Sequence, residues 1–132
     1  MTLLTITRGG VDIRCGGSLI ADQWVVSAAH CFMDINRKYV STRQIVLFLG
    51  EHDTSNSGET NIPRKYIRIA KLIPHKESNK MGLKENDIAL LKLSKKVNLN
   101  IYTPICLPNP GDDFTDEKAW ATGKTVGLIS NN

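Results

Sequence analysis

One histidine and one aspartate in this chain stand beside segments that could position them for proton-transfer chemistry. His30 lies directly before Cys31. An imidazole accepts and releases a proton near neutral pH, but it must be held in place to do so usefully. Asp87 lies between Asn86 and the apolar residues 88–91, a position that predicts a carboxylate at the end of a strand.

Each of these two residues also has a plain structural interpretation. A histidine next to a cysteine is more often a packed or surface residue than a catalytic one. An aspartate that follows an asparagine usually caps a turn, because both side chains hydrogen-bond to nearby backbone. The sequence motifs around the two residues are therefore needed to distinguish a catalytic role from a structural one.

The three cysteines, Cys15, Cys31 and Cys106, lack the Cys-x-x-Cys spacing of zinc and thioredoxin sites. An odd number predicts one disulfide and one further thiol. Because disulfides persist in oxidising compartments, we expect a secreted, extracellular protein. Residues 1–8 do not form a secretory signal, since the apolar stretch is short and the first basic residue follows it.

The apolar segments are short, rich in leucine and β-branched residues, and separated by glycine, asparagine and proline, which favours strands over helices. Six strands are predicted, at residues 3–7, 18–21, 24–27, 45–49, 66–73 and 87–93. Six such strands without a long amphipathic helix favour a closed antiparallel barrel, because closure removes exposed sheet edges. Residues 66–72 alternate and should be half-buried, whereas residues 88–91 do not alternate and should be covered on both faces.

The composition fits one globular domain, with 132 residues, 41% of them hydrophobic and 23% charged. The net charge of +4 comes from basic residues that are spread from Arg8 to Lys124. No basic cluster interleaves with aromatic residues, so we expect no nucleic-acid partner. No apolar run approaches the roughly 18–20 residues that span a bilayer, so we expect no membrane partner.

Two longer motifs carry a family resemblance. Residues 15–20, Cys-Gly-Gly-Ser-Leu-Ile, and residues 24–31, Trp-Val-Val-Ser-Ala-Ala-His-Cys, together resemble the histidine region of the trypsin/chymotrypsin family. Residues 86–93, Asn-Asp-Ile-Ala-Leu-Leu-Lys-Leu, resemble its aspartate motif, in the same chain order. Residues 104–108 and 120–123 resemble its later landmarks. The joint match covers nearly the whole chain and is more specific than any one piece.

The resemblance implies a fold and a set of roles. The fold is all-β, a six-stranded antiparallel Greek-key barrel that is the first of the two barrels of a serine endopeptidase domain. Residues 1–123 would form this half and residues 124–132 a divergent tail. His30 would act as general base and then acid, Asp87 would orient it, and a Cys15–Cys31 disulfide would anchor the histidine. The substrate would be a protein or peptide, and no cofactor would be required.

One part of the family's machinery is missing from this sequence. The nucleophilic serine of the family lies in a Gly-Asp-Ser-Gly-Gly loop that also forms the oxyanion hole, and no such loop is present. Ser18 follows two glycines, but Leu19 and Ile20 come next, which indicates the start of a strand. We therefore expect a truncated chain that is inactive alone, with a second barrel and a pro-segment as its missing partners.

Two further predictions rest on the same resemblance. The cysteine that matches Cys106 bridges to the pro-segment in two-chain family members, which would make the parent protein a zymogen, of the clip-domain type; a buried free thiol is the alternative. Glu51, Asp53 and Glu59 lie where some members bind calcium, and clustered carboxylates suit a hard cation. A solvated loop without calcium is the alternative there.

In a rival hypothesis the protein has the protease fold but no catalytic activity. A protease homologue can serve as a binding cofactor or decoy in a proteolytic cascade, because a fold does not dictate a function. The presence of both His30 and Asp87 favours the enzyme over this rival.

Overall fold

The computed structural model describes residues 2–50, 62–78 and 85–119. In these ranges the chain is all-β, with six strands and two short 3-10 helices, Ala29–Phe32 and Thr42–Gln44. None of the helices in these ranges has the length and apolar character that crossing a membrane requires. The strands are β1 (Thr2–Arg8), β2 (Val11–Ala21), β3 (Trp24–Ser27), β4 (Ile45–Leu49), β5 (Lys65–Pro74) and β6 (Ala89–Leu93).

The six strands form one closed antiparallel barrel, in the order β1-β2-β3-β6-β5-β4. β1 pairs with β2 on one side and with β4 on the other, so the first strand closes the barrel. β3 pairs with β6, which places Ser27 opposite Ala89. The predicted six-stranded Greek-key barrel is confirmed, and each predicted strand has its counterpart in the described part of the chain.

β2 is longer than the sequence pattern indicated, because it begins at Val11 and not at residue 18. Gly9 and Gly10 both have positive φ, 53° and 83°, and they form the two-residue turn that leads from β1 into β2. Such a turn matches the twist of the strands it joins, and glycine adopts it without steric cost. Arg8 and Val11 are paired directly across it.

The barrel interior is filled by the inward-facing side chains of all six strands. Along each strand these residues alternate with more exposed ones, as expected for a sheet with one face on the core. Burying one such side chain contributes about 1.5–3 kcal/mol. The buried aliphatic residues of the strands are Leu4, Ile6, Leu19, Val25, Ile45, Leu47, Leu49, Ile67, Ile69, Leu91 and Leu93.

The expectation that residues 88–91 are covered on both faces is wrong. Ile88 is 46% exposed, and Leu90 is only partly buried, whereas Ala89 and Leu91 are buried. β6 is one wall of the barrel, so only its inner face meets the core. The strand also begins at Ala89, which leaves Asp87 in the turn before it.

Candidate active site

His30 lies in the 3-10 helix Ala29–Phe32, which follows β3 after one intervening residue. Its neighbours are buried: Ala29, Cys31 and Phe32 are 1%, 6% and 0% exposed. The His30 side chain, in contrast, is 64% exposed. The buried neighbours therefore hold the turn against the core while the imidazole projects from the rim of the barrel.

A disulfide fastens this turn to the sheet by joining Cys31 to Cys15 of β2. The S–S distance is 2.02 Å and the two Cα atoms are 6.3 Å apart, which confirms the predicted pairing. The bridge spans 16 residues. Closing a loop of that length contributes about 3 kcal/mol in the chain-entropy model. The residue that follows His30 is thus covalently tied to a neighbouring strand.

Asp87 reaches His30 from the turn before β6. In that turn Asn86 has a φ of 52°, a left-handed conformation that asparagine tolerates, and its carbonyl accepts a 2.7 Å hydrogen bond from the Ile88 N–H. Asp87 Oδ2 lies 2.6 Å from His30 Nδ1, and Asp87 Oδ1 accepts a 2.8 Å hydrogen bond from the His30 backbone N–H. The carboxylate therefore meets both the ring and the backbone of the same residue.

The surroundings of Asp87 hold its pKa below the ordinary value. Partial burial raises the pKa, since desolvation disfavours the charge, but hydrogen bonds to the charged form outweigh it. These come from the His30 backbone N–H and ring, with Coulombic attraction to the ring, and from the Ala29 backbone N–H. An ionised carboxylate only accepts hydrogen bonds, so the ring donates from Nδ1 and Nε2 carries the lone pair that can take a proton. The Cys31 sulfur, 3.8 Å from Nε2, belongs to the disulfide and has no hydrogen to donate to it.

The stability of the barrel should fall on acidification, and Asp87 should account for part of that fall. Because the folded pKa lies below the unfolded one, its contribution is complete above about pH 3.9 and is lost as the pH falls through the lower folded value. Urea unfolding at several values between about pH 2 and pH 6 tests this, since Asp87→Asn should show a shallower loss below about pH 4. Asp22→Asn, which alters a surface pair with Lys96, serves as the control. Parallel curves for Asp87→Asn and wild type would contradict the prediction.

The remaining predicted site residues have mixed outcomes. Cys106 is a free and exposed thiol, so the alternative of a buried thiol is wrong, and its bridge to a pro-segment stays a prediction. Glu51, Asp53 and Glu59 lie outside the described residues, as do residues 120–132 with the predicted tail 124–132. Across the three described ranges, no group of three His, Cys, Asp or Glu residues could hold a metal ion.

Sequence reasoning missed Arg8, which it counted only as dispersed positive charge. Arg8 Nη2 donates a hydrogen bond to the carbonyl of Cys31, the residue after His30. A signal for this contact was present in the sequence. The apolar residues Leu4 and Ile6 alternate along β1, and continuing the same alternation places Arg8 on the inward face.

A closed six-stranded barrel with a histidine hydrogen-bonded to a carboxylate at its rim has the architecture of one barrel of a trypsin-like hydrolase. The family model described as Trypsin matches residues 1–128. The chain belongs to the trypsin family of serine proteases.

Individual relatives agree with this assignment. The chain is 35% identical to "Serine protease SSP1" of Scolopendra subspinipes over 98% of its own length and 45% of that protein. It is 43% identical to "Serine protease 1" of Rattus norvegicus over 72% of its own length and 34% of that protein. The solved structure described as "Structure of GrC" matches with a TM-score of 0.66 and 31% identity, over 85% of this chain and 44% of that one. The chain thus spans less than half the length of these relatives.

Proposed function

We propose that this chain supplies the proton-transfer pair of a serine endopeptidase. In this mechanism Nε2 of His30 takes the proton of a nucleophilic hydroxyl and later gives it to the leaving amine. Asp87 accepts the Nδ1 proton, keeps the ring in the required tautomer and stabilises the imidazolium that forms. The observation that carries the proposal is the 2.6 Å contact between His30 Nδ1 and Asp87 Oδ2.

In this proposal the nucleophilic serine lies outside the 132 residues of this chain. None of the serines in the described ranges forms a hydrogen bond with the His30 ring; the Ser27 hydroxyl donates to the Gly16 carbonyl at 2.7 Å, and the Ser78 hydroxyl pairs with Tyr39 at 2.5 Å. The relatives are more than twice as long as the part of them that this chain matches. We assign the serine loop and the oxyanion hole to a second half of that kind, without which no acyl-enzyme forms.

A fluorophosphonate probe tests this assignment, because it labels an activated serine covalently. The purified 132-residue chain should not be labelled. A longer product of the same gene, read beyond the codon for Asn132 and called the extended protein below, should carry the serine loop and be labelled, and His30→Ala should abolish its labelling.

Two outcomes of this experiment would count against the proposal. Labelling of the 132-residue chain itself would show that it already contains an activated nucleophile. A longer reading frame with glycine in place of the serine would support the rival, a non-catalytic binding cofactor or decoy.

The wider setting follows from the same proposal. A protein or peptide is the substrate, and an extracellular location is consistent with the Cys15–Cys31 disulfide. The exposed thiol of Cys106 is accessible to a pro-segment cysteine, as a zymogen would require. The triad chemistry needs no cofactor; a calcium ion held by Glu51, Asp53 and Glu59 is a prediction that does not enter the mechanism.

A further inference from the structure

We propose that Arg8 is a positioning residue for His30, a role that rests on the proposed proton-transfer function. Arg8 is the last residue of β1, and its Nη2 donates a hydrogen bond to the carbonyl of Cys31 in the 3-10 helix Ala29–Phe32. The two residues are 23 positions apart in the sequence. The guanidinium therefore reaches from the β1–β2 hairpin to the residue that directly follows His30.

Arg8 extends the inward-facing row of β1 to the rim of the barrel. Thr2, Leu4 and Ile6 form the inward-facing row of β1 and are buried, and Arg8 comes next in the same alternation. Its Nε atom is fully buried, and no hydrogen-bond partner for it is found among the described residues. A long apolar stem with a cationic head suits this site, because the stem extends the core while the head meets a polar group at the rim.

The hydrogen bond from Arg8 supports a turn whose own internal backbone hydrogen bonds are long. The Cys31 N–H donates to the Ala28 carbonyl at 3.3 Å, and the Met33 N–H donates to the His30 carbonyl at 3.2 Å. Backbone hydrogen bonds most often measure about 2.9–3.0 Å. A hydrogen bond from a charged donor is stronger than a neutral one. Arg8 thus adds a charge-assisted contact to the turn that presents His30, beside the one that Asp87 makes with the His30 N–H.

The consequence for His30 follows from its double contact with Asp87. The carboxylate meets the ring at Nδ1 and the backbone at the His30 N–H, so both contacts depend on where the turn lies. Without the donor on Arg8, the Cys31 carbonyl loses its charged partner, and the disulfide and the buried neighbours hold the turn with one contact fewer. The ring and the backbone N–H of His30 would then be held less tightly against Asp87.

NMR of the 132-residue chain tests this with Arg8→Met. We expect the resonance of the His30 Nδ1 proton to broaden or move, and the His30 backbone amide to exchange with solvent about tenfold faster than in wild type. Arg8→Lys retains one cationic donor and should recover most of the wild-type behaviour. Arg14→Met is the matched control, because Arg14 is an exposed arginine on the neighbouring strand.

A second variant separates positioning from general destabilisation. Ile6→Val removes one methylene from the buried residue that precedes Arg8 on the inward face, so it should lower stability without altering the His30 resonance. The proposal is overturned if Arg8→Met leaves the His30 resonance and exchange unchanged, or if Ile6→Val alters them equally. Should Arg8→Met fail to fold, the His30 resonance and amide exchange are compared between Arg8→Gln, which lacks the charge, and Arg8→Lys, which retains it.

These measurements do not depend on proteolysis. An inactive extended protein would contradict the proposed function while leaving the effect of Arg8 on His30 intact. Conversely, a wild-type His30 resonance in Arg8→Met would remove the role of Arg8 while leaving the proposed function intact.

Discussion

Replacing Asp87 by Asn is expected to lower the kcat of the extended protein by about 10⁴-fold, the size of effect known for the matching aspartate of the Ser-His-Asp triad. The structure gives the reason. The backbone N–H of His30 donates to one carboxylate oxygen at 2.8 Å, and ring Nδ1 lies 2.6 Å from the other. In asparagine the backbone N–H would hold the amide oxygen, so the NH₂ group would face Nδ1. The ring would then carry its proton on Nε2, where it cannot take one from a nucleophile.

Peptide hydrolysis by the extended protein measures this effect, with kcat and KM determined separately. KM should change little, because the backbone contact keeps the histidine turn in place. Asp22→Asn is the matched control, since its carboxylate pairs at 2.8 Å with Lys96 on the surface and should leave kcat unchanged. A kcat for Asp87→Asn within about tenfold of wild type would show that Asp87 does not orient a catalytic histidine.

Replacing Phe32 by Ala should lower the free energy of unfolding of the 132-residue chain by about 3–5 kcal/mol. Phe32 is fully buried, and it is among the largest of the fully buried side chains. It ends the 3-10 helix that carries His30, and its carbonyl accepts a 2.8 Å hydrogen bond from the Val40 N–H. Removing the ring leaves a cavity beneath the histidine turn. Since small domains are stable by only about 5–15 kcal/mol, the loss would be a large share of the total.

Urea denaturation of the oxidised chain measures the loss. The control is Ile35→Ala in the loop that follows, because Ile35 is 97% exposed and its truncation should change stability by less than about 0.5 kcal/mol. A similar small loss for both variants would show that the turn is not supported by the core in the way the structure indicates.

The strands that could be predicted from the sequence are those made of apolar residues that face the core. In β4 the residues Ile45, Leu47 and Leu49 face the core, and the predicted and observed bounds coincide. The first half of β2 could not be found in that way, because residues 11–17 are mostly exposed and include two glycines and two charged residues. The pair Gly9 and Gly10 was the available signal, since consecutive glycines between two extended segments favour a hairpin turn.

The candidate site was predictable to the level of residue identity. The motifs around His30 and Asp87 identify both residues, but the two are 57 positions apart, and their contact depends on the pairing of β3 with β6. No local pattern encodes which carboxylate oxygen meets the ring and which meets the backbone. The hydrogen bond from Arg8 to the Cys31 carbonyl was not predicted for a related reason. A count of charged residues does not tell which way a side chain points.

The strand order of the barrel also constrains the sequence of events on the ribosome. The β1–β2 hairpin can form as soon as its residues emerge, but β1 keeps an open edge until β4 arrives, and β3 keeps one until β6 arrives. His30 is therefore synthesised 57 residues before Asp87, the carboxylate that accepts its ring N–H. A nascent chain therefore acquires its proton-transfer pair only when β6 has been synthesised and has paired with β3.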